Sequence, residues 1–209
     1  MKQVSHIEKN ASTELRIKEA ARKVFVEKGY AATRTRDIAE ASGLNLALIN
    51  YYFRSKENLF KIIMVEHLQL FVGSILPILN DKGTTLEQKV ALLVDHYIDM
   101  LVANPNIPVF VINAVNNDPA EMISQIAGPA VAGQTYIEVQ FAELVKRKKG
   151  FAYSPLHLFM NMMSLTVFPF IAGPLMKAKN GINDEEYVRL MLERKKLIPM
   201  WVKTMFDSI

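Results

Sequence analysis

The chain has 209 residues, with 25 Lys and Arg against 21 Asp and Glu, half of its residues hydrophobic, and no cysteine. That is enough apolar chain for one large domain or two small ones, and too little charge for a disordered protein. The lack of cysteine excludes a disulfide, a thiolate nucleophile and a cysteine-type zinc site. The positive excess is local, since Met1 to Lys61 holds twelve basic and seven acidic residues and the remainder is near neutral. A small basic module on a near-neutral body points to a polyanion partner, beside the plainer reading of a solvated helix surface. The charged start, Lys2 to Lys9, lacks the apolar run of a signal peptide, so a cytoplasmic protein is expected.

In chain order, residues 13–28 place Ile17, Ala20, Ala21, Val24 and Phe25 on one helical stripe, and Gly29 follows as a stop. Two short helices are expected at about 34–42 and 46–52, split by Ser42-Gly43-Leu44-Asn45. Ser55 is placed to cap a long apolar helix running towards Leu79. After the turn Asn80-Asp81-Lys82-Gly83, Thr84 with Glu87 and Thr85 with Gln88 offer two overlapping capping boxes for a helix ending near Asn104-Pro105. Further helices are expected at about 107–127, 129–149, 155–178 and 184–207, with Pro77, Pro169, Pro174 and Pro199 predicting kinks or breaks inside helical runs. No strand-like alternation of useful length appears. The expected fold is all-α: a small basic three-helix domain over 1–56 and a larger apolar bundle over 57–209.

The segment from Thr33 to Phe53 has the spacing of a helix-turn-helix. Ala39 is small where two helices cross, and Gly43 can take the positive φ of a short turn. Ile38, Leu44 and Ile49 are apolar where a shared seam would be buried, and Asn45 stands at the N-cap of the second helix. Any helical hairpin can use Gly and apolar residues in this way, so spacing alone leaves a packing role open. The flanks carry more. With Ala20-Ala21, Phe25, Gly29-Tyr30, Ala32-Thr33, Arg36-Asp37-Ile38-Ala39, Gly43, Tyr51-Tyr52-Phe53 and Ser55-Lys56-Glu57-Asn58-Leu59, the stretch Arg16 to Leu59 resembles the DNA-binding domain of the tetracycline-repressor (TetR) family of bacterial transcriptional regulators.

On this reading the helix at about 45–52 enters the major groove, its N-terminal end nearest the bases. Asn50 suits a hydrogen-bonded contact with adenine, while Leu46, Ala47 and Leu48 suit thymine methyl groups. Thr33, Thr35, Tyr51, Tyr52 and Lys56 suit phosphates, Lys56 at a helix start whose free amides also attract them. Asn45 caps the reading helix at the same surface. Arg36 is a further DNA candidate, with pairing to Asp37 or Glu40 as its alternative. Tyr52 and Phe53 can equally be packing.

In the larger domain no charged residue occurs between Lys149 and Lys177. That stretch is long enough to cross a membrane, but its prolines, His157 and Asn161, and the lack of a second such span, argue for burial instead. The last two helices, about 155–178 and 184–207, read as a homodimer interface of four-helix type, the part these helices play in the resembled family. The polar positions His96, Tyr97, Asn104, Asn106, Asn113, Asn116 and Asn117 among apolar residues suit a cavity for a small, mostly apolar effector, as well as helix capping. His6, His67, His96 and His157 form no metal-binding pair, and no nucleophile elbow, phosphate loop or dinucleotide fingerprint occurs. No enzyme, metal or cofactor is expected. The function the sequence supports is a ligand-responsive transcriptional regulator, a repressor, binding a near-palindromic operator as a homodimer. Its alternative is an all-helical protein-binding or scaffold protein whose hairpin only packs.

Overall fold

The computed structural model of the chain describes residues 2–127, 133–147 and 154–208. Among them every regular element is a helix: α1 (Lys2–Ala32), α2 (Thr35–Ser42), α3 (Leu46–Phe53), α4 (Lys56–Asn80), α5 (Leu86–Ala103), α6 (Ile107–Asn117), α7 (Pro119–Ala127), α8 (Tyr136–Arg147), α9 (Pro155–Thr166), α10 (Phe168–Asn180) and α11 (Asp184–Ser208). The chain divides into two compact units, Met1–Leu68 and Gln69–Ile209. The division falls inside α4, later than the 56/57 boundary drawn from sequence. The physical reason is that Leu59, Phe60, Ile63, Met64 and Leu68 of α4 are buried in the first unit.

In that first unit α1 starts at Lys2 rather than at 13, since no glycine or proline interrupts the chain before Gly29. Gly29 has φ 73° and ψ 162°, so regular helix ends at Lys28 although a further turn follows to Ala32. Ile17, Ala20, Ala21, Val24 and Phe25 are buried on the expected stripe. The Phe60 ring meets Phe25 edge-on at 5.0 Å and Tyr30 at 4.5 Å, giving the unit an aromatic centre.

The second unit is built around α5. Its buried face carries Leu86, Val90, Leu93, Val94, Ile98 and Leu101, and α11 lies against it with Ile198, Val202 and Phe206. Lys195 of α11 bridges Asp95 and Asp99, one turn apart on α5, at 2.9 and 2.6 Å. Of the two capping boxes at its start only Thr85 with Gln88 forms. Thr84 instead binds Lys89, a fully buried lysine whose ammonium donates to the Asp81 carbonyl, the Thr84 carbonyl (2.9 Å) and the Thr84 hydroxyl (2.6 Å). Three neutral oxygens replace the water lost on burial.

Several helix expectations are corrected. The helix expected at 107–127 is two, because Asp118 before Pro119 takes an extended backbone and its carboxylate caps α7 through the Glu121 amide at 2.9 Å. The helix expected at 155–178 breaks at Val167, two residues before Pro169, whereas helices continue through Pro77, Pro174 and Pro199. Of the helix expected at 129–149, residues 129–132, 148 and 149 lie outside the described residues, and its described helical part is α8. By length and composition, both Lys56–Asn80 and Pro155–Asn180 are long and apolar enough to cross a membrane, so the second stretch is not alone. The apolar side chains of α4 include those that build the two cores, Leu59 and Ile63 in one and Phe71 and Ile75 in the other.

Candidate nucleic-acid interface and effector cavity

Gly43 closes α2 with φ 61° and ψ 28°, the left-handed conformation that lets the Leu44 amide return to the Ala39 carbonyl at 3.1 Å. The chain then re-enters helix at once, because the Asn45 side-chain oxygen accepts the Leu48 amide at 2.9 Å. Ile38, Ile49 and Phe53 are buried at 0, 1 and 2 % exposure, so they anchor the hairpin. Ala47, Asn50 and Tyr51 are exposed, Tyr51 at 77 %, and their spacing puts them on one face of α3. A large ring held in solvent on a helix whose other face is packed is a surface without a task inside its own unit.

The remaining candidates divide. Arg36 is exposed and makes no ion pair among the described residues, since Asp37 is engaged elsewhere. The Arg34 backbone N–H at 2.7 Å, and then Lys28 at 3.1 Å, hold the Asp37 carboxyl below the usual carboxylate range. Thr35 opens α2, half-buried, while Asn45 is exposed and Leu46 and Leu48 are half-buried beside Ala47. Tyr52 is half-buried, edge-on to Tyr51 at 5.2 Å and tilted against Phe53 at 6.3 Å.

Two candidates are corrected. Thr33 is 1 % exposed, and its hydroxyl donates to the Gly29 carbonyl at 2.7 Å, so it closes the turn after α1 instead of facing a phosphate. Lys56 donates to the carbonyls of Tyr30 and Thr33 at 2.9 and 2.8 Å, with its ammonium 4.3 Å from the centre of the Tyr30 ring. It is a brace between α4 and the loop before α2.

Arg54 was missed by sequence reasoning. It is exposed, and it alone among the described non-glycine residues has positive φ (63°, with ψ −44°). The Ser55 amide bonds the Phe53 carbonyl at 2.7 Å across it, a three-residue γ-turn of the strained kind. The signal was present, because Ala47, Asn50, Tyr51 and Arg54 continue one helical spacing.

Within the second unit, α4, α5, α8 and α9 enclose a cavity of about 670 Å³, lined mainly by aliphatic and aromatic side chains such as Val72, Ile75, Leu93, Ile137, Phe159 and Met162. Its polar positions among the described residues are Tyr97, Thr135, Glu138 and Ser154. Tyr97 stacks edge-on against Phe71 at 4.5 Å, and burial pushes its phenol up to about 12. Of the polar residues singled out from sequence, only Tyr97 is among the described lining residues. No group of three His, Asp or Glu side chains able to hold a metal ion occurs among the described residues.

A short helix standing proud of a buried hairpin seam, in the basic part of the chain, defines a helix-turn-helix DNA-binding protein. Residues 17–63 match the bacterial regulatory proteins of the tetR family. Over 202 residues the chain is 24% identical to a probable HTH-type transcriptional regulator, YttP, of Bacillus subtilis (strain 168), spanning 94% of this chain and 95% of that protein. Its fold is similar to that of a TetR/AcrR-family regulator from Thermobifida fusca, with 18% identity, a TM-score of 0.61, and 89% and 96% of the two chains covered. The transcriptional regulator FadR from Bacillus subtilis, solved in complex with stearoyl-CoA, is similar at 18% identity and a TM-score of 0.52, over 88% and 96% of the chains. The tetR-family match is thus confined to the helix-turn-helix region, residues 17–63, and the chain is a DNA-binding transcriptional regulator.

Proposed function

We propose that the protein is a ligand-responsive repressor that binds a near-palindromic operator as a homodimer. The exposed row Ala47, Asn50, Tyr51 and Arg54 above buried Ile49 and Phe53 carries this reading. Asn50 reads an adenine edge and Ala47, flanked by Leu46 and Leu48, meets thymine methyl groups. Thr35, Arg36, Asn45, Tyr51, Tyr52 and Arg54 hold the phosphates on either side. A two-fold dimer sets two such helices about 34 Å apart, one turn of duplex.

Dimerisation is assigned to α9, α10 and α11, where Phe159, Phe168, Leu175, Met200 and Trp201 remain in solvent. The cavity takes a small, mostly apolar effector, a reading supported by its lining and by the stearoyl-CoA bound to a relative of similar fold. The effector shifts operator affinity only by its differential affinity for the DNA-competent and incompetent states. The protein acts in the cytoplasm, without enzymatic activity, metal, organic cofactor or membrane insertion. A scaffold role is not favoured, since packing alone leaves Tyr51 in solvent.

Mobility shift on the region upstream of its own gene tests operator binding, with retardation of that fragment at physiological salt and not of unrelated DNA as the expected result. Weak retention that ignores sequence and collapses with salt overturns it. Sedimentation of Leu175→Glu and Met200→Glu tests the dimer, and unchanged mass would place the interface elsewhere.

A further inference from the structure

The cavity holds more than an apolar surface, and this inference rests on the effector reading above. Glu138 lies on the first turn of α8, and its Oε2 accepts both the amide (2.7 Å) and the hydroxyl (2.9 Å) of Thr135. These two bonds fix the carboxylate, while its Oε1 has no partner among the described residues. Glu138 is the one charged side chain among the described lining residues, and Lys, Arg and His are absent from them. The Tyr97 phenol, also without a hydrogen-bond partner among the described residues, is neutral, and burial raises it further, to about 12. The Ser154 hydroxyl is engaged in capping α9 through the Leu156 amide at 3.2 Å. Glu138 is therefore the charge that the described lining brings to this cavity.

A carboxylate ligand would bring a second negative charge to the wall that carries Glu138. A cationic head would instead complete a charge-assisted hydrogen bond at Oε1, and its tail would displace water from the aliphatic walls. We propose that the effector is a lipophilic amine, its ammonium against Glu138 and its alkyl chain along Val72, Ile75, Leu76, Leu79 and Leu93. The volume of about 670 Å³ accommodates such a molecule, lying inside the range of about 300–1,000 Å³ common for small-molecule sites.

Calorimetric titration of the full-length protein, without DNA, with dodecylamine, dodecanol and dodecanoate compares three heads on one chain. Dodecylamine is expected to bind about tenfold tighter than dodecanol, as one charge-assisted hydrogen bond implies, with dodecanoate weakest. Glu138→Gln keeps an acceptor for Thr135 and should bring the amine level with the alcohol. Equal affinities, dodecanoate as the tightest ligand, or an amine preference that Glu138→Gln leaves intact overturns the head-group assignment while the cavity reading stands. Failure of all three probes to bind overturns the cavity reading itself.

Discussion

The Lys56 ammonium donates to the Thr33 carbonyl at 2.8 Å, tying the first turn of α4 to the loop that enters the helix-turn-helix. A second bond to the Tyr30 carbonyl at 2.9 Å leaves one ammonium proton for other partners. Lys56→Ala should lower the unfolding free energy by about 1–3 kcal/mol, the range for orphaned buried acceptors. It should weaken binding to all DNA sequences alike and leave the slope of log affinity against log salt unchanged. Denaturant unfolding and anisotropy titrations over a salt series check this, and a slope reduced by about one would return Lys56 to the phosphates.

Arg54 holds its cation at positive φ beside the exposed row of α3. Glycine adopts that backbone freely, so Arg54→Gly should raise the unfolding free energy by about 1 kcal/mol. The same change should weaken DNA binding without altering sequence preference and lower the salt slope by about one. Asn50→Ala should do the opposite, relaxing preference at one base pair by about 1–3 kcal/mol. A binding-site selection run on both variants separates the two roles.

Gly43 is constrained twice, by φ 61° and by the Arg16 guanidinium, 2.8 Å from where a Cβ would stand. The guanidinium is the tip of a flexible chain and can withdraw, whereas the backbone conformation cannot change without opening the turn. Gly43→Ala should therefore cost about 1–2 kcal/mol of stability, and Arg16→Ala in the same chain should not restore it. Recovery in the double variant would make the contact, and not the backbone, the constraint.

Glu66 receives hydrogen bonds from Lys18 and Arg22 of α1. Burial acts upward on its carboxyl, but the two cations outweigh it and hold the value below the ordinary 4.5. A depressed folded value means stability that is present above 4.5 and lost as pH falls below it. Lys18 is raised above its ordinary 10.5, the Glu66 and Glu14 carboxylates outweighing burial, so its share is present below 10.5 and lost as pH rises through the folded value. Thermal unfolding across pH should show Glu66→Gln less sensitive to acid than the natural chain, and an unchanged acid limb would contradict the assignment.

Much of the helix-turn-helix was legible from residues in order. The Gly43 turn, the Asn45 cap and the buried pair Ile38 and Ile49 follow from spacing, because each concerns neighbours within a turn or two. The roles of Thr33 and Lys56 were not legible. A hydroxyl and an ammonium close in sequence to α3 suit phosphates equally well until their carbonyl partners are known. Glu138 was passed over because a Glu three residues after Thr135 is an ordinary capping pattern, and nothing local says that a cavity lies beside it.

The all-helical class, the position of α3 and the basic character of its unit were determined by sequence alone, since periodicity, caps and charge act over short stretches of chain. Which polar groups stay in solvent was decided only in three dimensions. Lys56 meets a carbonyl 23 residues away, and the cavity draws Val72, Leu93, Ile137 and Met162 from four helices. Burial depends on such distant neighbours, and no local pattern encodes them.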